Sequence, residues 1–267
     1  MKKVFIYKND LKASRTIADE LRNKLISRGV SVSESLTGDV DLIINVGGDG
    51  TFLSLMQNFE FPTAKVAGIN TGHLGFFQEI APEETDRLID AYLKDELCSQ
   101  KYNIVKAEIR RKNGETIAHR ALNEFVVKGK GTKPIHLDIG INGSFIEKFS
   151  GDGIIVSTPA GSTGYNYSLG GSIVDPRLNL LQVAPIAPMN SVAYRSFTSS
   201  ILLPESDTLT IQPCLEYDDE ILTVVYDGLL REYKNVRDIK ITLSQRKVNM
   251  VRFKGQHFWD KCKSKFL

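Results

Sequence analysis

The chain has 267 residues, enough for one large domain or two ordinary ones, and its 42% hydrophobic and 25% charged residues are the balance of a soluble globular protein. Lys and Arg total 34 against 32 Asp and Glu, and the resulting charge of +2 is too small for a dedicated nucleic-acid binder, although a local basic pocket for an anionic substrate remains compatible with it. Cys98, Cys214 and Cys262 form no CxxC pair, no apolar stretch approaches ~18 residues, and the N-terminus turns polar at Lys8-Asn9-Asp10, so the expectation is a cytoplasmic protein without disulfide framework, zinc site or membrane partner.

Residues 4–7 predict a short strand, and residues 11–28 an amphipathic helix, with Ile17, Leu21 and Leu25 on one face and Gly29 as its stop. Residues 30–33 predict a further strand. Leu42-Ile43-Ile44 and Val46 then run into Gly47-Gly48-Asp49-Gly50-Thr51, and Phe52, Leu53, Leu55 and Met56 recur at helical spacing: strand, glycine loop, helix. Glycines leave backbone N–H groups uncovered at the positive end of the helix, so Gly47, Gly48, Gly50 and Thr51 are candidate phosphate-binding residues. No GxxxxGK[ST] and no GxGxxG occurs, which excludes a Walker loop and the usual dinucleotide fingerprint. Asp49 is the odd residue of this loop. A carboxylate about 4 Å from a phosphate charge is opposed by about 4 kcal/mol at an effective dielectric of roughly 20. Asp49 is therefore either a helix cap, or its charge is met by a bridging Mg2+ or by a proton taken from an attacking hydroxyl; the latter two belong to phosphoryl transfer.

Residues 64–70 predict another buried strand, ending in Thr71-Gly72-His73-Leu74-Gly75-Phe76. Both glycine loops follow the C-terminal end of a strand, the edge at which open parallel sheets bind ligands. Residues 82–95 predict a helix with Pro82 in its first turn. Beyond residue 97 the period changes to alternation, over 104–111 and 115–127, joined at Asn113-Gly114, and the same turn signal returns at Asn142-Gly143 and Asp227-Gly228. The expected fold is an N-terminal α/β domain with an open, mostly parallel sheet (1–98) and an all-β, sandwich-like C-terminal domain (99–253). A tail (254–267), with Phe258, Trp259, Cys262 and Phe266 at helical spacing, is expected to pack back on the first domain. No Pro- or Ser-rich linker separates the domains, which predicts a close junction of the kind ligand sites favour.

Inside the β-rich half, residues 149–171 read FSGDGIIVSTPAGSTGYNYSLGG. Residues 157–164 are small and polar and follow neither hydrophobic period. A surface turn would look alike, but Ser157, Thr158, Ser162 and Thr163 can offer hydroxyl donors to a ribose or phosphate. Asn123-Glu124 places an amide and a carboxylate at the start of a strand, as an ordinary polar edge would also do. His73, His119, His136 and His257 show no HExxH spacing and read as structural or surface residues, with His73 alone inside a candidate site loop.

VGGDGT at 46–51, NTGHLGFF at 70–77, Asn123-Glu124, and GDGIIVSTPAGSTGYNYSLGG at 151–171 together resemble the ATP-dependent NAD kinases, over the chain from the first strand to about Gly228. GGDGT alone discriminates weakly, since diacylglycerol and sphingosine kinases carry a similar loop and phosphofructokinases a related one; the long second motif is more specific. The resemblance implies a site in the cleft between the two domains, NAD+ and ATP as partners, Mg2+ as cofactor, and a homodimer or homotetramer. It also implies that Asp49 deprotonates the adenosine 2′-hydroxyl of NAD, with Gly50 beside it in the substrate site. Asn123 and Glu124 would hold the adenosine part, Asp152 the nicotinamide end or its neighbourhood, and Ser162, Thr163, Gly164, Tyr165 and Ser168 would line the dinucleotide pocket. Phe76 would contact adenine, and Asp227 would approach the ligand. The chain departs from the family pattern at Gly164, where alanine is frequent, and at Leu229, where a glutamine is frequent. A lipid kinase would share the glycine loop but needs a membrane-facing basic segment, which the sequence lacks; a non-catalytic dinucleotide sensor would have no use for Asp49.

Overall fold

Strand and helix alternate through the first hundred residues in the computed structural model: β1 (Lys3–Lys8), α1 (Lys12–Ser27), β2 (Ser31–Ser33), β3 (Leu42–Gly47), α2 (Asp49–Asn58), β4 (Lys65–Asn70), a 3-10 turn at Pro82–Glu84, and α3 (Thr85–Leu93). The structure describes residues 2–72, 75–131, 133–190, 195–214, 221–255 and 258–266; His73 and His257 lie outside them. The chain divides into two compact units, 1–102 with 247–267, and 103–246. These limits differ slightly from the periodicity boundaries because β5 (Cys98–Arg111) and, later, a long strand before the C-terminal helix run on through both limits.

In the first unit the order β2-β1-β3-β4 is parallel throughout. β3 is buried along its whole length, as a central parallel strand covered on both faces must be. Ala18, Leu21 and Leu25 of α1 and Leu88, Ile89 and Tyr92 of α3 pack with Leu42, Ile44 and Val46 of β3 and Ala67 and Ile69 of β4 in one core. Gly29 ends α1 in the left-handed region, at φ 75°, where the next N–H reaches back to the Leu25 carbonyl.

The second unit contains β6 (Thr116–Ala121), β7 (Glu124–Gly129), β8 (Ile135–Ile141), β9 (Ser144–Gly151), β10 (Gly153–Ser157), α4 (Tyr165–Ser168), β11 (Leu180–Ile186), β12 (Ile201–Pro204), β13 (Leu209–Pro213), β14 (Leu222–Tyr226) and β15 (Leu229–Tyr233). One antiparallel sheet runs β12-β11-β10-β7-β14-β15, and β13 pairs antiparallel with β8, itself paired with β9. Residues of both sheets, among them Phe125, Val127, Ile154 and Val156 from one and Leu137, Ile139, Leu209 and Ile211 from the other, share one core. Asn142-Gly143 and Asp227-Gly228 close two-residue hairpins with positive φ at both positions. The alternation over 115–127 is not one strand: it breaks at Leu122-Asn123 into β6 and β7, because the N–H groups of those two residues bond to a side chain instead of to a sheet neighbour.

The chain returns to the first unit through β16 (Val236–Arg252), which meets β4 in parallel at Met250 and Val66, and ends in α5 (Phe258–Phe266). Among the described residues no helix is long and apolar enough to cross a membrane.

Candidate functional site

β3 delivers the chain to Gly47 at φ 157°, where a Cβ would meet the Thr51 Oγ1 at 2.4 Å, so the side chain of Thr51 occupies the space that Gly47 leaves open. Thr51 is nearly buried and its hydroxyl accepts a bond from Asn9 Nδ2 at 2.9 Å. Gly48 is the extended residue before α2, and its carbonyl accepts from Gln78 Nε2 at 3.2 Å. A Cβ at Gly48 or Gly50 would meet no protein atom within 4 Å. Glycine at these two positions therefore answers no crowding within the chain itself, as expected of backbone that a phosphate must approach closely.

Asp49 is not the cap of α2. It is the first helical residue, favourably placed at the positive helix end, and its carboxylate turns toward the second glycine loop. The Phe76 N–H donates to Oδ2 at 2.8 Å and the Phe77 N–H to Oδ1 at 3.0 Å. Gly75 makes this embrace possible, because a Cβ there would sit 2.1 Å from Asp49 Oδ1. The parallel register of β3 and β4 puts Gly47 opposite Asn70, which is why both loops leave the sheet at one edge and can meet. Each carboxylate oxygen keeps a second acceptor position beyond the backbone bond it takes. The Phe77 ring stacks on Phe52 at 4.9 Å, anchoring the segment from below, while the half-buried Phe76 ring lies 5.9 Å from Phe266 and 6.0 Å from Phe258.

In the second unit Asn123-Glu124 opens β7, and the geometry around it is built from two sequence-distant pieces. Asp227, in the β14–β15 hairpin, accepts the Leu122 N–H at 2.7 Å and the Asn123 N–H at 2.8 Å with its two oxygens. The Asn123 carbonyl accepts the Thr158 N–H at 2.8 Å, and the Thr158 hydroxyl donates to the Leu122 carbonyl at 2.6 Å. A Cβ on Gly161 would lie 2.2 Å from the Asn123 carbonyl oxygen, so the turn after β10 is pressed directly onto the backbone of Asn123. Asn123 Oδ1 and Glu124 Oε2 are buried and bonded to nothing among the described residues.

Burial, with the Asp227 carboxylate as a second cause, pushes the Glu124 carboxyl up from 4.5 to about 8. At neutral pH it carries its proton and can donate as well as accept. Because the folded pKa is the higher one, this group favours folding fully below about pH 4.5 and loses that contribution as the pH rises toward about 8. Glu124→Gln removes the titration, so the stability of the variant relative to wild type is expected to climb across that window, by up to about 1.4 kcal/mol per pH unit. Thermal melts of both proteins at about pH 5 and about pH 8 check this; an unchanged difference would contradict it.

The other expected residues of the 151–171 stretch divide in two. Ser162 is fully buried, donates to the Pro159 carbonyl at 2.7 Å and accepts the Val174 N–H at 2.9 Å; Ser157 and Thr158 are likewise fully buried and donate to backbone carbonyls. The protons of these hydroxyls are thus engaged with backbone carbonyls, tying the loop to itself and, through Thr158, to Leu122. Thr163 is half-buried, and Asp152, Gly164, Tyr165 and Ser168 are exposed. The Tyr165 hydroxyl accepts from Lys128 Nζ at 3.3 Å. A Cβ at Gly164 would find the Gly161 carbonyl at 3.3 Å and Glu124 Oε2 at 3.7 Å, so the methyl of an alanine nearly fits here, and glycine leaves the Glu124 carboxyl less covered.

Sequence reasoning did not find Glu79, Arg252 and Lys261. All three are buried: Arg252 pairs with Glu79 at 2.9 Å, Lys261 pairs with the same oxygen, and Lys261 Nζ donates to the Phe76 carbonyl at 2.7 Å. No motif surrounds them, and Arg252 ends a strand, β16, in which polar and charged residues outnumber apolar ones, so no local signal marked it.

The family model described as ATP-NAD kinase N-terminal domain matches residues 7–97, and the one described as ATP-NAD kinase C-terminal domain matches 122–253. The chain is 38% identical to a NAD kinase of Finegoldia magna, over 98% of this chain and 97% of that protein, and 34% identical to a NAD kinase of Lactococcus lactis subsp. cremoris, over 100% and 97%. Among solved structures, a NAD kinase from Archaeoglobus fulgidus in complex with ATP superposes with a TM-score of 0.74 at 26% identity, covering 99% of this chain and 98% of that one. Yeast NADH kinase complexed with NADH gives a TM-score of 0.85 at 21% identity, covering 99% and 87%, and shares the fold.

Proposed function

The chain belongs to the ATP-NAD kinase family, whose reaction is the phosphorylation of NAD to NADP, and from that premise we propose that Asp49 is the base of this reaction. The 2′-hydroxyl oxygen of the adenosine ribose forms a bond to the γ-phosphorus of ATP, the bond from that phosphorus to the β-bridging oxygen breaks, ADP leaves, and the hydroxyl proton passes to the Asp49 carboxylate. The observation that carries this reading is the hold on Asp49. Two backbone N–H groups fix its carboxylate at the start of a glycine-loop helix and leave an acceptor position on each oxygen. A base so fixed needs little reorganisation at the moment of transfer.

Gly48 and Gly50, whose backbone no Cβ obstructs, are assigned to the donor phosphates with Gly47 and Thr51 shaping the loop. Among the described residues no group of three or more acidic, His or Cys side chains could hold a metal. Mg2+ characteristically takes one or two carboxylates together with substrate phosphates, so it would be held mainly by the ATP phosphates, with the Asp49 carboxylate the protein oxygen available to it. When bound, it would spread the charge of the transferring phosphoryl group.

Asn123 and Glu124 are assigned to the adenosine part of NAD, which their unbonded side-chain oxygens support. Asp152 is assigned to the nicotinamide end or its neighbourhood, Thr163, Gly164, Tyr165 and Ser168 to the dinucleotide pocket, and Phe76 to adenine. Asp227 acts through Asn123, whose N–H it holds. Cys98, Cys214 and Cys262 form no disulfide; the cytoplasm is the proposed compartment and a homodimer or homotetramer the proposed assembly.

The purified protein given NAD+, ATP and Mg2+ is expected to form NADP+, read by a coupled NADP-specific dehydrogenase. Folded protein that binds NAD+ but yields no product with ATP would overturn the choice of donor, with polyphosphate the next to try; folded protein that does not bind NAD+ at all would overturn the assignment of the acceptor.

A further inference from the structure

We propose that Lys261 of α5 is a positioning residue for phosphoryl transfer, acting through the backbone of Phe76 to hold the Asp49 carboxylate in place; this rests on the reading of Asp49 as the base. The chain of contacts is short. Lys261 Nζ donates to the Phe76 carbonyl at 2.7 Å, and the N–H groups of Phe76 and Phe77 are the ones that grip Asp49. The helix tightens the same segment from a second side, with Phe266 and Phe258 against the Phe76 ring and Lys265 Nζ 4.6 Å above it.

The charges argue that this is more than a buried ion pair. Glu79 already accepts Arg252 at 2.9 Å, and Arg252 also reaches the Tyr102 hydroxyl at 2.5 Å. Adding Lys261 gives two cations against one carboxylate, all three side chains being buried. A pair kept for stability alone would stop at one cation, since each buried charge costs desolvation. Burial, opposed by Glu79, indeed holds the Lys261 ammonium below its ordinary range, and Asp49 is close enough to favour the charged form. Lys261 is thus the donor that fixes the loop holding Asp49, although the two residues are far apart in the chain.

Lys261→Met keeps most of the length and removes the charge and the bond. Its expected effect is a kcat lowered by ~10–100-fold at saturating NAD+ and ATP, the loss associated with a small displacement of a reacting group, with KM for ATP changed far less. Lys261→Arg, which keeps a charged donor, is expected to retain more turnover than Lys261→Met at equal folded fraction, and it substitutes for the methionine variant should that one not fold: it must then show a kcat below wild type with an unchanged KM for ATP. The decisive measurement combines Lys261→Met with Asp49→Asn. If Lys261 acts through Asp49, the double variant is no slower than Asp49→Asn alone. Multiplying losses, or a wild-type kcat in Lys261→Met, overturns the positioning role; a wild-type kcat in Asp49→Asn alone instead overturns the base, so the two failures are told apart.

Discussion

Asp49→Asn is expected to lower kcat by at least ~10²-fold, the lower end of what general-base assistance supplies and equal to about 2.7 kcal/mol of barrier. The amide has the shape of the carboxylate, so the loop has no steric reason to move. What changes is chemistry: the group cannot take the proton, and it can accept only one of the two N–H groups that Phe76 and Phe77 present. The other N–H faces the amide nitrogen, a donor against a donor. Leaving such a group without an acceptor costs about 1–3 kcal/mol, so the melting temperature should fall by several degrees while the protein stays folded at 25 °C. Steady-state kinetics at saturating ATP, with calorimetry for NAD+ binding, separates the two consequences. Loss of turnover with NAD+ affinity nearly unchanged fits a base; undiminished turnover in the folded variant removes Asp49 from that role.

Gly161→Ala is expected to cripple NAD+ binding without altering any side chain assigned to the ligand. The added Cβ would sit 2.2, 2.5 and 2.7 Å from the carbonyl oxygen, carbonyl carbon and Cα of Asn123. These are backbone atoms, so no rotamer change can relieve the contact. Nor can the backbone of Asn123 yield freely, since Asp227 grips its N–H and the Thr158 N–H grips its carbonyl. Either the turn after β10 or the start of β7 must shift, at a cost of about 1–3 kcal/mol for overpacking, with the Asn123 and Glu124 side chains carried along. NAD+ affinity is expected to fall by at least ~10-fold, with ATP affinity much less affected. Gly164→Ala is the control, because its Cβ would meet the Gly161 carbonyl at 3.3 Å and Glu124 Oε2 at 3.7 Å, contacts the loop can accommodate with a few tenths of an ångström of movement. Wild-type NAD+ affinity and melting temperature in Gly161→Ala would show that this turn does not set the position of Asn123.

Much of the molecule was legible in its sequence, and for identifiable reasons. The apolar run of β3 and the helical recurrence of Phe52, Leu53, Leu55 and Met56 make Gly47 to Gly50 a strand-to-helix junction whatever surrounds them, because side-chain period follows directly from backbone geometry. The Asn142-Gly143 and Asp227-Gly228 hairpins were equally fixed by residues that tolerate positive φ. The change from one period to the other marked the passage from an α/β to a β-rich unit. Asn123-Glu124 was visible as a polar pair at a strand start, but its position relative to anything else was not.

What only the tertiary structure decided is where polar side chains find partners. Periodicity reports which face of an element is buried; it carries no information about which distant donor meets a given acceptor. Asp49 could have been a helix cap until the parallel register of β3 and β4 brought Phe76 and Phe77 over it. That Asp227 also holds the backbone of Leu122 and Asn123, more than a hundred residues away, no local pattern could tell. Ser157, Thr158 and Ser162 looked like donors for a ligand, yet in the fold their protons go to backbone carbonyls, two within their own loop and that of Thr158 to Leu122, since a buried polar group without a partner is costly. The buried set of Glu79, Arg252 and Lys261 joins chain segments 182 residues apart, a distance over which no local pattern speaks, and it exists only because the returning β16 and α5 place two cations against one carboxylate.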